Sequence, residues 1–157
     1  MSVARSISLT QAAISKASIA NIRGVGIDLV HVPRIAALLS RKPAYLAKFT
    51  RRVLHENEYN RAVSMIENRE RHNLFIARCW SIKEALFKSL DESRQSGFQM
   101  RDWNTIHASS PKPIVSGGLI RNDEDFFVSV THDGEYVLAA VIRGQSDNPC
   151  DNKRKLL

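Results

Sequence analysis

The chain has 157 residues, 43% hydrophobic and 25% charged, enough for one packed domain and incompatible with a fibrous or largely disordered protein. Lys and Arg number 23 against 16 Asp and Glu, a net charge of +7 that favours an acidic partner: nucleic acid, an anionic membrane, a phosphorylated small molecule or an acidic protein. No apolar run reaches the roughly 18 residues of a membrane span, and two cysteines, Cys79 and Cys150, are too few for a disulfide framework.

Residues 1–21 hold Arg5 and Lys16, serines at 2, 6, 8, 15 and 18, and no acid before Asp28. A basic, Ser-rich, acid-free leader predicts a mitochondrial targeting segment, leaving 22–144 as the domain. Gly24 to Val32 is β-branched and alternating, which predicts a strand. Pro33 then suits the first turn of a helix, with Ile35, Leu38 and Leu39 at helical spacing up to Ser40. Pro43 opens a second short helix through Phe49. Thr50 to Leu54 reads as a connector, and His55 to Ile66 as a polar helix with Tyr59, Val63 and Ile66 on one side.

Arg71 to Leu90 carries the strongest pattern. Phe75, Cys79, Ile82, Leu86 and Leu90 recur at steps of three and four and make one apolar stripe. Asp91 to Gly97 reads as a loop. Thr105–His107 and Pro113–Val115 are short strand candidates. Phe126–Thr131 and Tyr136–Ile142 are strands with Asp133-Gly134 between them, a tight hairpin signature. Gln145 to Leu157, with Lys153-Arg154-Lys155, predicts a disordered basic tail. Strand, helices, then strands ending in a hairpin make an α+β domain.

Two charges sit in apolar surroundings. Asp28 lies between Ile27 and Leu29, where a carboxylate either faces solvent or is paired or metal-bound. Glu84 and Lys88 are four apart on one helix face and pair at about 0.2–0.5 kcal/mol if nothing else intervenes. Trp80 and Phe87 flank that face, which suits a lined pocket. Two carboxylates from separate elements suit Mg²⁺, which takes few protein ligands and fills its remaining sites with water and phosphate oxygens. The five histidines, at 31, 55, 72, 107 and 132, have no zinc spacing. There is no phosphate-binding GxxxxGK[ST] loop, no dinucleotide fingerprint and no GxSxG elbow. The residues therefore point to magnesium-assisted handling of a phosphorylated ligand. The competing class is a basic RNA-binding or ribosome-associated mitochondrial module, which has no use for Asp28 or Glu84 and would want an interleaved basic-aromatic stripe that this chain lacks.

Gly24-Val25-Gly26-Ile27-Asp28-Leu29-Val30, Arg34-Ile35, Trp80-Ser81-Ile82-Lys83-Glu84-Ala85-Leu86-Phe87-Lys88 and Ser129-Val130-Thr131-His132 follow in one order. Phe49 to Leu54, followed by Glu56 and Glu58, adds a further matching segment. Together they resemble the holo-acyl-carrier-protein synthase family of 4′-phosphopantetheinyl transferases from about Arg23 to Arg143. The resemblance implies a small antiparallel sheet packed against a long central helix. It implies transfer of 4′-phosphopantetheine from coenzyme A to a serine of acyl carrier protein, supporting mitochondrial fatty acid synthesis, with neither nucleic acid nor membrane as partner. It makes Asp28 and Glu84 the Mg²⁺ ligands, Glu84 and Lys88 catalytic, Lys88 and His132 contacts to coenzyme A, and Arg34 a contact to the carrier protein. Bacterial-type members are trimers, so a homotrimer is implied. Two departures stand out. Cys79 occupies the place of an arginine, with Arg78 one residue earlier. Asp91-Glu92-Ser93-Arg94-Gln95-Ser96 replaces a glycine-rich loop.

Overall fold

The computed structural model describes residues 21–106, 113–118 and 120–146. The expected targeting segment up to residue 20, His107, Cys150 and the basic tail beyond 146 lie outside the described residues.

Strand β1 (Ile22–His31) leads into α1 (Val32–Leu39), α2 (Pro43–Val53), α3 (Glu56–Val63), the long α4 (Arg69–Ser89) and the one-turn α5 (Glu92–Gln95). A 3₁₀ turn (Met100–Asp102) precedes β2 (Trp103–Ile106), β3 (Ile114–Gly117), β4 (Glu124–Asp133) and β5 (Tyr136–Gln145). The strands form an antiparallel sheet in the order β1-β5-β4 and a separate antiparallel pair β2-β3. The expected α+β class, with a small sheet against a long helix, is what the chain adopts. Among the described residues no helix is long and apolar enough to cross a membrane.

Local chemistry explains the helix starts. Proline opens α1 and α2, where a missing N–H costs nothing. The His55 ring accepts from Asn57 N at 3.2 Å while Glu58 accepts from His55 N at 2.9 Å, a reciprocal cap on α3. The Asn68 side chain accepts from Arg71 N at 3.0 Å at the start of α4.

Three expectations need correction. Thr50 to Val53 is the last turn of α2 and not a connector. Thr50 Oγ1 donates back to Leu46 O at 3.0 Å, Val53 is buried, and Arg51 and Arg52 sit where a helix C-terminus favours cations. Helix α3 ends at Val63, and Tyr59, Val63 and Ile66 face outward while Glu58 and Ala62 are buried. The reason is that Glu58 has a cationic partner inside. The segment after α4 contains α5 rather than only loop.

The stripe Phe75, Cys79, Ile82, Leu86 and Leu90 is buried as expected, and α4 lies across the sheet. It touches β1 backbone to backbone: a Cβ on Gly26 would stand 1.9 Å from Ala85 O, and one on Gly24 2.1 Å from Ser89 O. Strand alternation then puts Gly24, Gly26, Asp28 and Val30 on the helix side. The outer row is apolar yet open, with Val25 53%, Ile27 56% and Leu29 60% exposed.

Candidate active site

Asp28 follows the two glycines on the inner row of β1, so the helix that packs on them also covers its carboxylate. Its side chain is 12% exposed. Lys88 Nζ donates to Asp28 Oδ1 at 2.8 Å and to Ile27 O at 3.1 Å. Ser81 Oγ donates to Asp28 O at 3.1 Å. Asp28 Oδ2 is buried without a hydrogen-bond partner among the described residues. Lys88 thus pairs across elements with Asp28, where the spacing alone allowed a pair with Glu84. The reading in which Asp28 faces solvent is also excluded.

Glu84 stands one turn before Lys88 on α4. Burial pushes its carboxyl above the ordinary range, the negative charge of Asp28 pushes it further, and Lys88 and Arg34 pull it back. Two carboxylates, from β1 and α4, therefore share one electrostatic neighbourhood with Lys88 and Arg34. A bare buried oxygen on one and a raised pKa on the other are what a divalent cation relieves. The described residues hold no cluster of three metal-ligating side chains. Two carboxylates fit Mg²⁺, which keeps much of its shell as water and phosphate oxygen.

Beside Glu84 opens a cavity of about 760 Å³ lined by Leu38, Phe49, Trp80, Phe87, Phe98 and Met100, together with the cations Lys48, Arg52 and Arg101. Phe49 and Trp80 stack at 5.5 Å with planes 8° apart. The walls suit a ligand with an apolar body and anionic groups, as expected from Trp80 and Phe87 flanking Glu84.

The site gathers Asp28, Glu84, Lys88 and the charge of Arg34. It does not gather His132, which is exposed near the hairpin end of β4, on the far edge of the sheet from β1. Nor does Arg78 bond to any of the four; its Nε is buried without a hydrogen-bond partner among the described residues. Cys79 is core, with its thiol pushed up to about 12 by burial.

Sequence reasoning missed a buried hub behind the site. Lys83, fully buried, donates to Val53 O at 2.7 Å and to Glu58 Oε2. Glu58 Oε1 accepts from Thr105 N at 2.8 Å and Thr105 Oγ1 at 2.6 Å. The hub ties α2, α3 and β2 to the residue preceding Glu84. The available signal was a lysine directly beside the buried stripe, at the step after Ile82. Also missed was a cluster of Arg143, Glu124, Arg94 and Asp91 under the far end of α4.

Residues 24–141 match the model of the 4′-phosphopantetheinyl transferase superfamily. A holo-[acyl-carrier-protein] synthase of Anoxybacillus flavithermus is 33% identical over 122 residues, spanning 77% of this chain and 94% of that protein. One from Anaplasma phagocytophilum is 32% identical over 122 residues, spanning 76% and 96%. The crystal structure of a holo-(acyl-carrier-protein) synthase from Bacillus anthracis, in complex with CoA (3′,5′-ADP), superposes with a TM-score of 0.67 at 27% identity, covering 80% of this chain and 99% of that one.

Proposed function

The chain belongs to the 4′-phosphopantetheinyl transferase superfamily, and from that premise we propose that it is a Mg²⁺-dependent holo-acyl-carrier-protein synthase serving mitochondrial fatty acid synthesis. The serine hydroxyl of the carrier protein attacks the coenzyme A phosphorus nearer the pantetheine. A serine O–P bond forms, the P–O bond to the adenosine-side phosphate breaks, and adenosine 3′,5′-bisphosphate leaves. The observation that carries this reading is the bare buried Asp28 Oδ2 beside a Glu84 carboxyl that burial and Asp28 push upward.

Mg²⁺ held by Asp28 and Glu84 would neutralise the pyrophosphate and polarise the bond that breaks. Glu84 takes the serine proton directly or through one water. Lys88 is 46% exposed, free to swing from Asp28 to the leaving phosphate and stabilise its charge. The aromatic walls beside Glu84 take up the apolar part of the ligand. Arg34, Arg41, Lys42, Arg51 and Arg52 steer an acidic carrier protein, so raising salt should weaken apparent carrier affinity more than coenzyme A affinity; equal effects would contradict this.

His132 reaches coenzyme A from a neighbouring subunit in a homotrimer built on the open apolar row of β1 and the matching face of β5. A chain that stays monomeric in light scattering at assay concentration would refute that assembly. Residues 1–21 fused to a reporter should carry it into mitochondria; a cytosolic reporter would refute the address.

The central test is direct. Purified chain, coenzyme A, Mg²⁺ and apo-carrier protein should yield carrier protein heavier by one phosphopantetheine in a mass measurement. Asp28→Ala should abolish transfer while the protein stays folded. Wild-type rate for Asp28→Ala in limiting Mg²⁺ would sink the ligand assignment.

A further inference from the structure

Helix α4 ends in the turn that carries Lys88, and the carbonyls of such a turn have no partner within the helix. Here Phe87 O accepts from the Leu90 backbone N–H at 3.1 Å, and α5 supplies a further donor. Gln95 Nε2 donates to Phe87 O at 3.1 Å and to Leu90 O at 3.2 Å. Gln95 is placed by Asp91, whose carbonyl accepts from Arg94 N at 2.9 Å and Gln95 N at 3.1 Å. Asp91 is gripped in turn by Arg143, with Nη2 to Oδ1 at 2.6 Å and Nη1 to Oδ2 at 2.9 Å. Arg143 Nη1 also donates to Glu124 Oε1 at 3.0 Å, and Arg94 Nη1 donates to both Glu124 oxygens at 2.7 and 2.9 Å. Arg143, Arg94 and Glu124 are only 2%, 7% and 1% exposed.

We propose that this ionic cluster, acting through Gln95, positions the last turn of α4 and with it Lys88 for the phosphates of coenzyme A. The proposal rests on the transferase reading above and makes Arg143, Glu124 and Gln95 positioning residues. Three features favour it over a plain stabilising role. Buried ion networks stabilise little compared with apolar packing of the same volume, so the cluster is a poor way to add stability alone. A forked Arg–carboxylate pair fixes orientation as well as distance. The cluster also sits under the segment from Asp91 to Ser96 and ties it to the helix end through Gln95. The same turn sets a cavity wall: Phe98 N donates to Gln95 O at 3.1 Å, and the Phe98 ring lies 5.5 Å from Phe87 and 5.7 Å from Trp103.

Gln95→Leu removes the two amide bonds and leaves the ion cluster intact, so folding survives. In the full chain, amides of Phe87–Leu90 should exchange hydrogen roughly tenfold faster, the loss expected for two net hydrogen bonds, while residues 71–83 keep wild-type protection. KM for coenzyme A should rise roughly three- to tenfold with KM for carrier protein unchanged. Arg143→Met should raise KM for coenzyme A in the same way but also lower stability, because Glu124 loses one of its buried cations, and Arg143→Lys should recover only part, because lysine restores the charge without the fork. Wild-type exchange and wild-type KM for coenzyme A in Gln95→Leu would overturn the proposal. So would equal rises in both KM values with faster exchange everywhere, which marks a fold stabiliser. A wild-type chain that transfers nothing would refute the transferase reading instead, and the exchange comparison would still decide whether Gln95 orders the turn.

Discussion

Gly26→Ala tests whether the contact between β1 and α4 sets the site. The added methyl would stand 1.9 Å from Ala85 O, 2.8 Å from Ser89 N and 2.9 Å from Ala85 C. An ordinary carbon–oxygen contact is roughly 3.3–3.6 Å, so the helix must retreat by about 1.5 Å at that point. All three obstacles are backbone atoms of α4, and no side-chain rotation relieves them. Overpacking of this kind costs about 1–3 kcal/mol, which leaves a folded but weakened protein. The functional loss should be larger, because Lys88 and Glu84 ride on the displaced helix and Asp28 stays with the strand. A misplacement of about 1 Å costs on the order of 100-fold in rate. The assay is mass-detected phosphopantetheine transfer beside urea unfolding. Gly134→Ala is the control. Its methyl meets nothing within 4 Å, though φ is +52°, so it should lose about 1–2 kcal/mol and keep its rate. A Gly26→Ala protein with wild-type rate, whatever its stability, would refute the idea that this contact sets the catalytic geometry.

Lys83→Met leaves the Glu58 carboxylate buried without its cation and should cost about 3–5 kcal/mol in urea unfolding. Adding Glu58→Gln should restore most of that, and a double variant as unstable as the single one would contradict the pairing. Asp91 has its carboxyl held below the ordinary range by the hydrogen bonds from Arg143. Its contribution is therefore fully present above the unfolded value of about 3.9 and fades as pH falls through the lower folded value. Unfolding midpoints of wild type and Asp91→Asn should differ at neutral pH and converge in acid; a gap unchanged down to strong acid would rule this out.

Periodicity made α4 legible because five apolar residues at steps of three and four leave one face to bury. The β4–β5 hairpin was legible for its turn chemistry at Asp133-Gly134. Asp28 and Glu84 stood out because a carboxylate among aliphatic and aromatic neighbours is costly without a partner. Alternation along β1 was visible too, but a period of two does not say which row faces in. Here the glycines and Asp28 do, since only a row without side-chain bulk admits the helix backbone. That choice also decided Lys88's partner, which lies 60 positions away in the chain. Tyr59, Val63 and Ile66 misled because their spacing suggests one buried face of a helix that in fact ends at Val63, whereas the buried Glu58 beside them is satisfied by Lys83, 25 positions on. Pairings over such separations leave no local trace. The Asp91–Arg143 cluster escaped notice for the same reason.

The Lys83 hub has a kinetic consequence. Its bonds close chain separations of 30, 25 and 47 residues, and each buried charge must shed water before its counterpart arrives. Such contacts mature late, after the local helices and the hairpin have formed and the chain has collapsed. Weakening the hub should then leave the refolding rate nearly untouched and quicken unfolding, so Lys83 governs how long a finished molecule lasts more than how fast it is made.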